Sequence, residues 1–169
     1  MPTRQPAQPL YTAEQRRRRD ASPWTLVQGI LAPAQFLVFL VSLVLVLRYL
    51  ASGEGLALAT ASVVVKTLVL YAIMVTGSIW ERDVFGRYLF APAFFWEDVV
   101  SMGVLALHTA YLLAWVGGAL GPQGQMLLAL AAYAAYLINA AQFLVKLRAA
   151  RRGAETAPPA GSAALELAK

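Results

Sequence analysis

Three side chains in this sequence share one apolar stretch, FFWEDVVSMGVLALHTAYLLAWV. Glu97 and Asp98 are adjacent near its start, and His108, the only histidine of the chain, lies eleven residues after Glu97. Lys66 stands well inside another apolar stretch. Ionisable groups in a membrane-spanning segment are costly, so each points to function by default. The chemistry on offer is acid–base. A carboxyl in apolar surroundings can carry a proton at neutral pH, and a neighbouring carboxylate can act as base or stabilise a cation. An imidazole can ligate a metal, and a lysine can pair with an anion.

Helix geometry relates these groups. At a rise of about 1.5 Å per residue, His108 lies roughly 16 Å beyond Glu97. Eleven residues is close to three turns, so the two share a face. Ser101 lies on the same stripe one turn after Glu97, and Asp98 points about 100° away. Asn139 and Gln142 fall near the level of the carboxylates, as do Gln28 and Thr76. Lys66 falls near His108. Two polar layers are therefore expected, without a statement of which groups face one another. Alternatives stay open for each. Acids also suit a helix N-terminus, through the backbone dipole. Lys66 either is paired or snorkels. His108 either is functional or is a neutral imidazole bonded to the carbonyl one turn back.

The segments that must position these groups follow from composition. The 169 residues are 59% hydrophobic and 14% charged, against about 45–50% and about 25% in a soluble domain. That is the balance of a membrane protein. The absence of cysteine excludes disulfides, thiolate catalysis and Cys-ligated metal sites. One histidine excludes bis-histidine haem ligation and an HExxH zinc site. The net charge of +5 gathers at the edges of apolar segments, which suits a membrane surface and not nucleic acid.

Four apolar stretches, about 26–50, 56–80, 93–116 and 125–147, each exceed the roughly 20 residues that span a bilayer. They lie in a membrane domain over 23–152, between a polar basic segment over 1–22 and a flexible tail over 153–169. The first stretch is far longer than a signal-peptide core of roughly 7–15 residues and reads as a retained helix. Pro33 is expected to kink it. The turns at 51–55 and 117–124 are short and glycine-rich, which requires antiparallel neighbours. Lys and Arg fall in the N-terminal segment, in the Glu81–Pro92 connection and in the C-terminal flank, and none in the two short turns. Both termini are then cytoplasmic. The expected fold is all-α: a polytopic, four-transmembrane-helix antiparallel bundle. Ala131, Ala135 and Asn139 mark a packing face on its last helix, and Arg16, Arg17, Arg18 and Arg19 are expected to meet anionic lipid.

Four strings carry a likeness to a known family: LYTAEQRRRRDASPWTLVQGILAPAQFLVFLVSLVLVLRYL (10–50), ASVVVKTLVLYAIMVTGSIWE (61–81), FAPAFFWEDVVSMGVLALHTAY (90–111) and INAAQFLVKLRAARR (138–152). Over residues 10–152 the chain resembles the 3-vinyl bacteriochlorophyllide hydratases, also called 2-vinyl bacteriochlorophyllide hydratases, of bacteriochlorophyll biosynthesis. The resemblance implies a lyase that adds water across the ring-A vinyl of chlorophyllide a or bacteriochlorophyllide, giving a 1-hydroxyethyl group. It implies no cofactor, since the magnesium belongs to the substrate. It places the protein in the bacterial inner membrane, cytoplasmic or intracytoplasmic, with other pathway enzymes as candidate partners; a second copy of the chain is a further candidate that the sequence leaves open. It assigns no catalytic residues.

Protonating the terminal vinyl carbon puts positive charge beside the macrocycle, where the π system spreads it, and water then adds to the inner carbon. That needs an acid, a base and a cation stabiliser. Glu97 and Asp98, directly or through Ser101 and water, are the expected catalytic residues, in either order of roles. His108 is a candidate axial ligand of the substrate's magnesium, and Lys66, Arg82 and Arg87 are candidates for its propionate. Phe94, Phe95 and Trp96 either cover the macrocycle or anchor the interface. Asn139 and Gln142 are expected to contact substrate. Two rival readings remain: a non-catalytic tetrapyrrole carrier or photosynthetic assembly factor, and a proton or ion pathway through Glu97, Lys66 and His108, which four helices could form only as an oligomer.

Overall fold

The computed structural model describes residues 10–155, with side chains through residue 150. The described chain is helical, with α1 at Ala13–Ala21, α2 at Pro23–Ser52, α3 at Leu56–Phe85, α4 at Phe95–Val116 and α5 at Pro122–Glu155. The helices α2 to α5 are each long and apolar enough to cross a membrane. Their outer faces expose Leu37, Val41, Val44, Leu68, Leu113 and Leu127. Such a surface suits hydrocarbon, since lipid tails are as apolar as leucine.

The four expected stretches appear as helices, three of them with longer ends and α4 starting at Phe95, two residues after the expected start. Helix α3 continues past Trp80 to Phe85 because Val84 and Phe85 extend its apolar contacts beyond the charged Glu81-Arg82-Asp83 step. It stops at Gly86, whose φ of 81° is left-handed, a conformation open to glycine. Helix α2 stops the same way at Gly53, with φ 74°. Pro33 lies inside α2, which runs through it as one helix from Pro23 to Ser52. Helix α5 reaches Glu155, past the expected boundary at 153. The remainder of the expected tail, 156–169, and residues 1–9 lie outside the described residues.

The basic segment holds a helix that composition did not suggest. Thr12 and Gln15 form a reciprocal capping box at its start. Glu14 pairs with Arg18 one turn on, and Arg19 binds Asp20 at 2.7 Å and stands over the Tyr11 ring at 5.0 Å. Tyr11 itself is buried against Phe85 and Phe94, so α1 is tied to one end of the membrane helices.

Helix α2 packs chiefly on α3, and α4 chiefly on α5. The buried core runs through Phe39, Val46, Val63, Leu70, Val104, Tyr111 and Tyr133. On α5 the inward face holds Met126, Ala129, Ala132, Tyr133, Tyr136 and Asn139, whereas Ala131 is exposed. Of the expected face, Asn139 and the neighbouring Ala132 and Tyr136 are buried, Ala135 packs partly buried against the core, and Ala131 alone turns outward.

Candidate functional site

At the end of the bundle where α3 leaves and α4 begins, a connection over 86–94 is fastened by two acids. Asp98 Oδ2 accepts the Phe90 N–H at 2.8 Å. Glu81 Oε1 accepts the next N–H, that of Ala91. Two carboxyl groups thus hold consecutive backbone amides and adjoin each other. Phe90 between them has φ 59°, a left-handed conformation uncommon for a bulky residue. Backbone held off its ordinary wells costs about 1–3 kcal/mol and persists where surroundings enforce it.

Glu97 is held differently. Lys146, on α5, forms an ion pair with Glu97 Oε2 and also donates to the Ala93 carbonyl. One turn along α4, the Ser101 hydroxyl donates to the Glu97 carbonyl at 2.8 Å. Asn139 Nδ2 donates to Ser101 Oγ at 2.6 Å. Glu97, Asp98, Ser101 and Asn139 are all buried. Two oxygens in this layer, Asn139 Oδ1 and Gln142 Oε1, are buried with no hydrogen-bond partner among the described residues.

The sequence-expected residues therefore divide. Glu97, Ser101 and Asn139 come together at the α4–α5 seam, with Gln142 on the same face of α5, while Asp98 turns to the 86–94 connection. Gln28 and Thr76 bond each other at 2.7 Å across α2 and α3 and do not join that group. Glu81 and Lys146 complete it and were not singled out from the sequence. A signal existed for both. Asn139, Gln142 and Lys146 follow the i, i+3, i+7 spacing of one helix face, and Val84 and Phe85 carry the apolar pattern of α3 past Glu81.

The second polar layer is real but closed. Lys66 Nζ lies 2.6 Å from His108 Nε2, and His108 Nδ1 lies 2.8 Å from the Val104 carbonyl. A neutral ring donating from Nδ1 to Val104 presents Nε2 as acceptor to lysine. Lys66 also stands over the Tyr136 ring at 4.2 Å. Both side chains are fully buried. Nearby, Ser42 bonds Tyr133 Oη at 2.5 Å and Ser62 at 2.7 Å. Of the alternatives open for these residues, the contacts match a paired Lys66 and an imidazole bonded to the carbonyl one turn back, with both His108 nitrogens engaged inside the core.

Around the acids the aromatic residues also sort themselves. Phe94 is core, packed among Tyr11, Trp80, Phe85 and Phe143, and is not free to cover a macrocycle. Phe90, Phe95 and Trp96 form an outward row, with ring centroids 5.8 and 5.4 Å apart, and Trp96 is 70% exposed. Arg87 is exposed on the connection. Arg82 donates to Tyr88 Oη at 2.6 Å and lies over its ring.

The site thus offers two acids without an ion-pair partner among the described residues, a third acid paired with Lys146, two amide side chains and an exposed aromatic border whose rings are tilted to one another. Comparison with known proteins agrees with the likeness read from the sequence. The family model described as 2-vinyl bacteriochlorophyllide hydratase (BCHF) matches residues 11–149. The 2-vinyl bacteriochlorophyllide hydratase of Cereibacter sphaeroides is 69% identical over 153 residues, covering 90% of this chain and 94% of that protein. That of Rhodobacter capsulatus is 68% identical over 143 residues, covering 84% of this chain and 82% of that protein. No solved structure matches the chain. On the extent of these matches, the chain belongs to the 2-vinyl bacteriochlorophyllide hydratase family.

Proposed function

We propose that this protein is a membrane hydro-lyase that adds water across the C3 vinyl group of chlorophyllide a or bacteriochlorophyllide, giving the 3-(1-hydroxyethyl) derivative. The observation that carries the reading is the match over nearly the whole length of hydratases of that name. The reaction needs no redox partner, because the H and the OH that are added both come from water.

The roles are assigned from the contacts of each acid. Glu97 is committed to Lys146, and is assigned the electrostatic partner of the developing cation. Asp98 and Glu81 have no ion-pair partner among the described residues. A carboxyl with no cation bound to it, beside a second carboxyl, is the better proton donor, so Asp98 is assigned the general acid and Glu81 its partner. The flat pigment lies along Phe90, Phe95 and Trp96 with its vinyl group toward the acids. Arg87 is the cation placed to meet its propionate.

The helices form an antiparallel bundle in the bacterial inner membrane, with both termini and the 86–94 connection on the cytoplasmic side. The support is the distribution of Lys and Arg, together with contacts that gather one end of each membrane helix. There Trp80 bonds Thr25 at 2.9 Å, Ser22 bonds Asp83 at 2.9 Å, and Lys146 meets Glu97. Arg16 and Arg17, exposed and outside the ion pairs of α1, are the residues left for anionic lipid.

The test is direct. Purified protein in detergent with chlorophyllide a should give a product heavier by one water, and the long-wavelength band should move to the blue as the vinyl leaves conjugation. Pigment bound without conversion would favour the carrier reading.

A further inference from the structure

The two partnerless oxygens of the α4–α5 seam specify what the seam binds. The Ser101 hydroxyl spends its one hydrogen on the Glu97 carbonyl, so it must accept from Asn139, and the Asn139 amide group is turned with Nδ2 toward Ser101. That leaves Asn139 Oδ1 as a buried acceptor with nothing donating to it. Gln142 Oε1 is a second such acceptor, three residues on along the same face. Buried polar atoms without partners are rare, and each calls for a physical reason such as a bound water or a catalytic role.

Both oxygens accept hydrogen bonds, so their partner must donate. The magnesium pigment offers the reverse: its keto, ester and carboxylate oxygens accept, and its ring nitrogens are taken by the metal. The reactant that donates twice is water. Residues three apart on a helix lie on one face, separated by about 4.5 Å along the axis, so the two side chains can share one neighbour. Gln142 also lies between the two cross-links of the seam, Asn139 to Ser101 and Lys146 to Glu97.

We infer that Asn139 and Gln142 are positioning residues that hold the attacking water between them, its two hydrogens on their amide oxygens and its lone pair toward the vinyl. The inference rests on the hydratase reading. The acid gives a proton to the terminal vinyl carbon, and the π electrons form that C–H bond. The inner carbon is left cationic, and the held water's lone pair forms the C–O bond there. Once the C–O bond has formed, the oxygen turns one of those hydrogens from its amide oxygen to a carboxylate of the site and loses it there as a proton. One water is added, and nothing is oxidised or reduced. Fixing that water on one side of the macrocycle also fixes the configuration of the new hydroxyethyl carbon.

Gln142→Leu tests this without endangering the fold, since it replaces a partnerless buried oxygen by an apolar group of similar size. Turnover should fall about 10- to 100-fold, the scale of a misplaced reactant, with pigment affinity unchanged. The hydroxyethyl diastereomer ratio should move toward a mixture. In water containing methanol, which donates one hydrogen and not two, the share of methoxyethyl product should rise. Gln142→Glu, which keeps an acceptor, should recover part of the rate. A Gln142→Leu protein with wild-type rate and diastereomer ratio would overturn the inference while leaving the hydratase reading intact. So would one that loses pigment affinity at unchanged turnover, since Gln142 would then touch the macrocycle. Wild-type protein that binds pigment without hydrating it would sink the hydratase reading itself.

Discussion

Lys146 on α5 closes an ion pair with Glu97 in the first turn of α4, and the same ammonium donates to the Ala93 carbonyl just before that helix. One cation therefore neutralises one acid of the adjacent pair and pins the start of the helix that carries both. Asp98, next in sequence, points elsewhere and holds the Phe90 amide. Adjacent residues with the same chemistry thus have different partners.

Removing the cation should expose that division. Lys146→Met leaves Glu97 buried without its partner and is expected to cost about 1–3 kcal/mol, below the range for a fully buried pair because Lys146 keeps some solvent contact. Pairing it with Glu97→Gln should restore part of the loss. A double-mutant cycle on thermal unfolding in detergent measures the coupling, and strictly additive losses would remove the ion pair from the account.

The carboxylates themselves are tested by turnover. Asp98→Asn and Glu97→Gln should each lower hydroxyethyl formation by about 100- to 10,000-fold, the usual scale for a lost general acid or base. Glu81→Gln should fall between these variants and the wild type, because it acts through Asp98. Product formed at the normal rate by both Asp98→Asn and Glu97→Gln would end the carboxylate mechanism.

For His108 the expected result is a change in stability that leaves metal recognition alone. His108→Phe orphans Lys66 in the core, and breaking a buried polar or charged pair costs about 3–5 kcal/mol. Lys66→Met with His108→Phe should be more stable than His108→Phe by itself. Any loss of affinity should be equal for the magnesium pigment and its metal-free analogue. A loss confined to the magnesium pigment would return His108 to the role of axial ligand.

Topology can be read by thiol labelling, because the chain has no cysteine of its own. In spheroplasts an impermeant reagent should label Glu54→Cys at once and Arg87→Cys only after lysis. The opposite pattern would invert the bundle.

The sequence by itself determined the number of membrane helices, the turns between them and the level of each polar group, because hydrophobic length and a fixed rise per residue set depth without any knowledge of neighbours. It also carried the family likeness. What it did not decide was rotation. Glu97 and His108 share a face of α4, yet one meets Lys146 and the other Lys66, since two different helices approach that face at different depths. Glu81 and Asp98 come together only because the 86–94 connection folds back to offer consecutive amides to both. His108 looks available in the sequence and is closed in the fold, its two nitrogens matched to a carbonyl one turn back and an ammonium on a neighbouring helix. Depth is a property of one helix and can be counted along it. Partnership is a property of two, set by how Tyr133, Tyr136 and the other core side chains turn the helices against one another, and only the packed structure decides it.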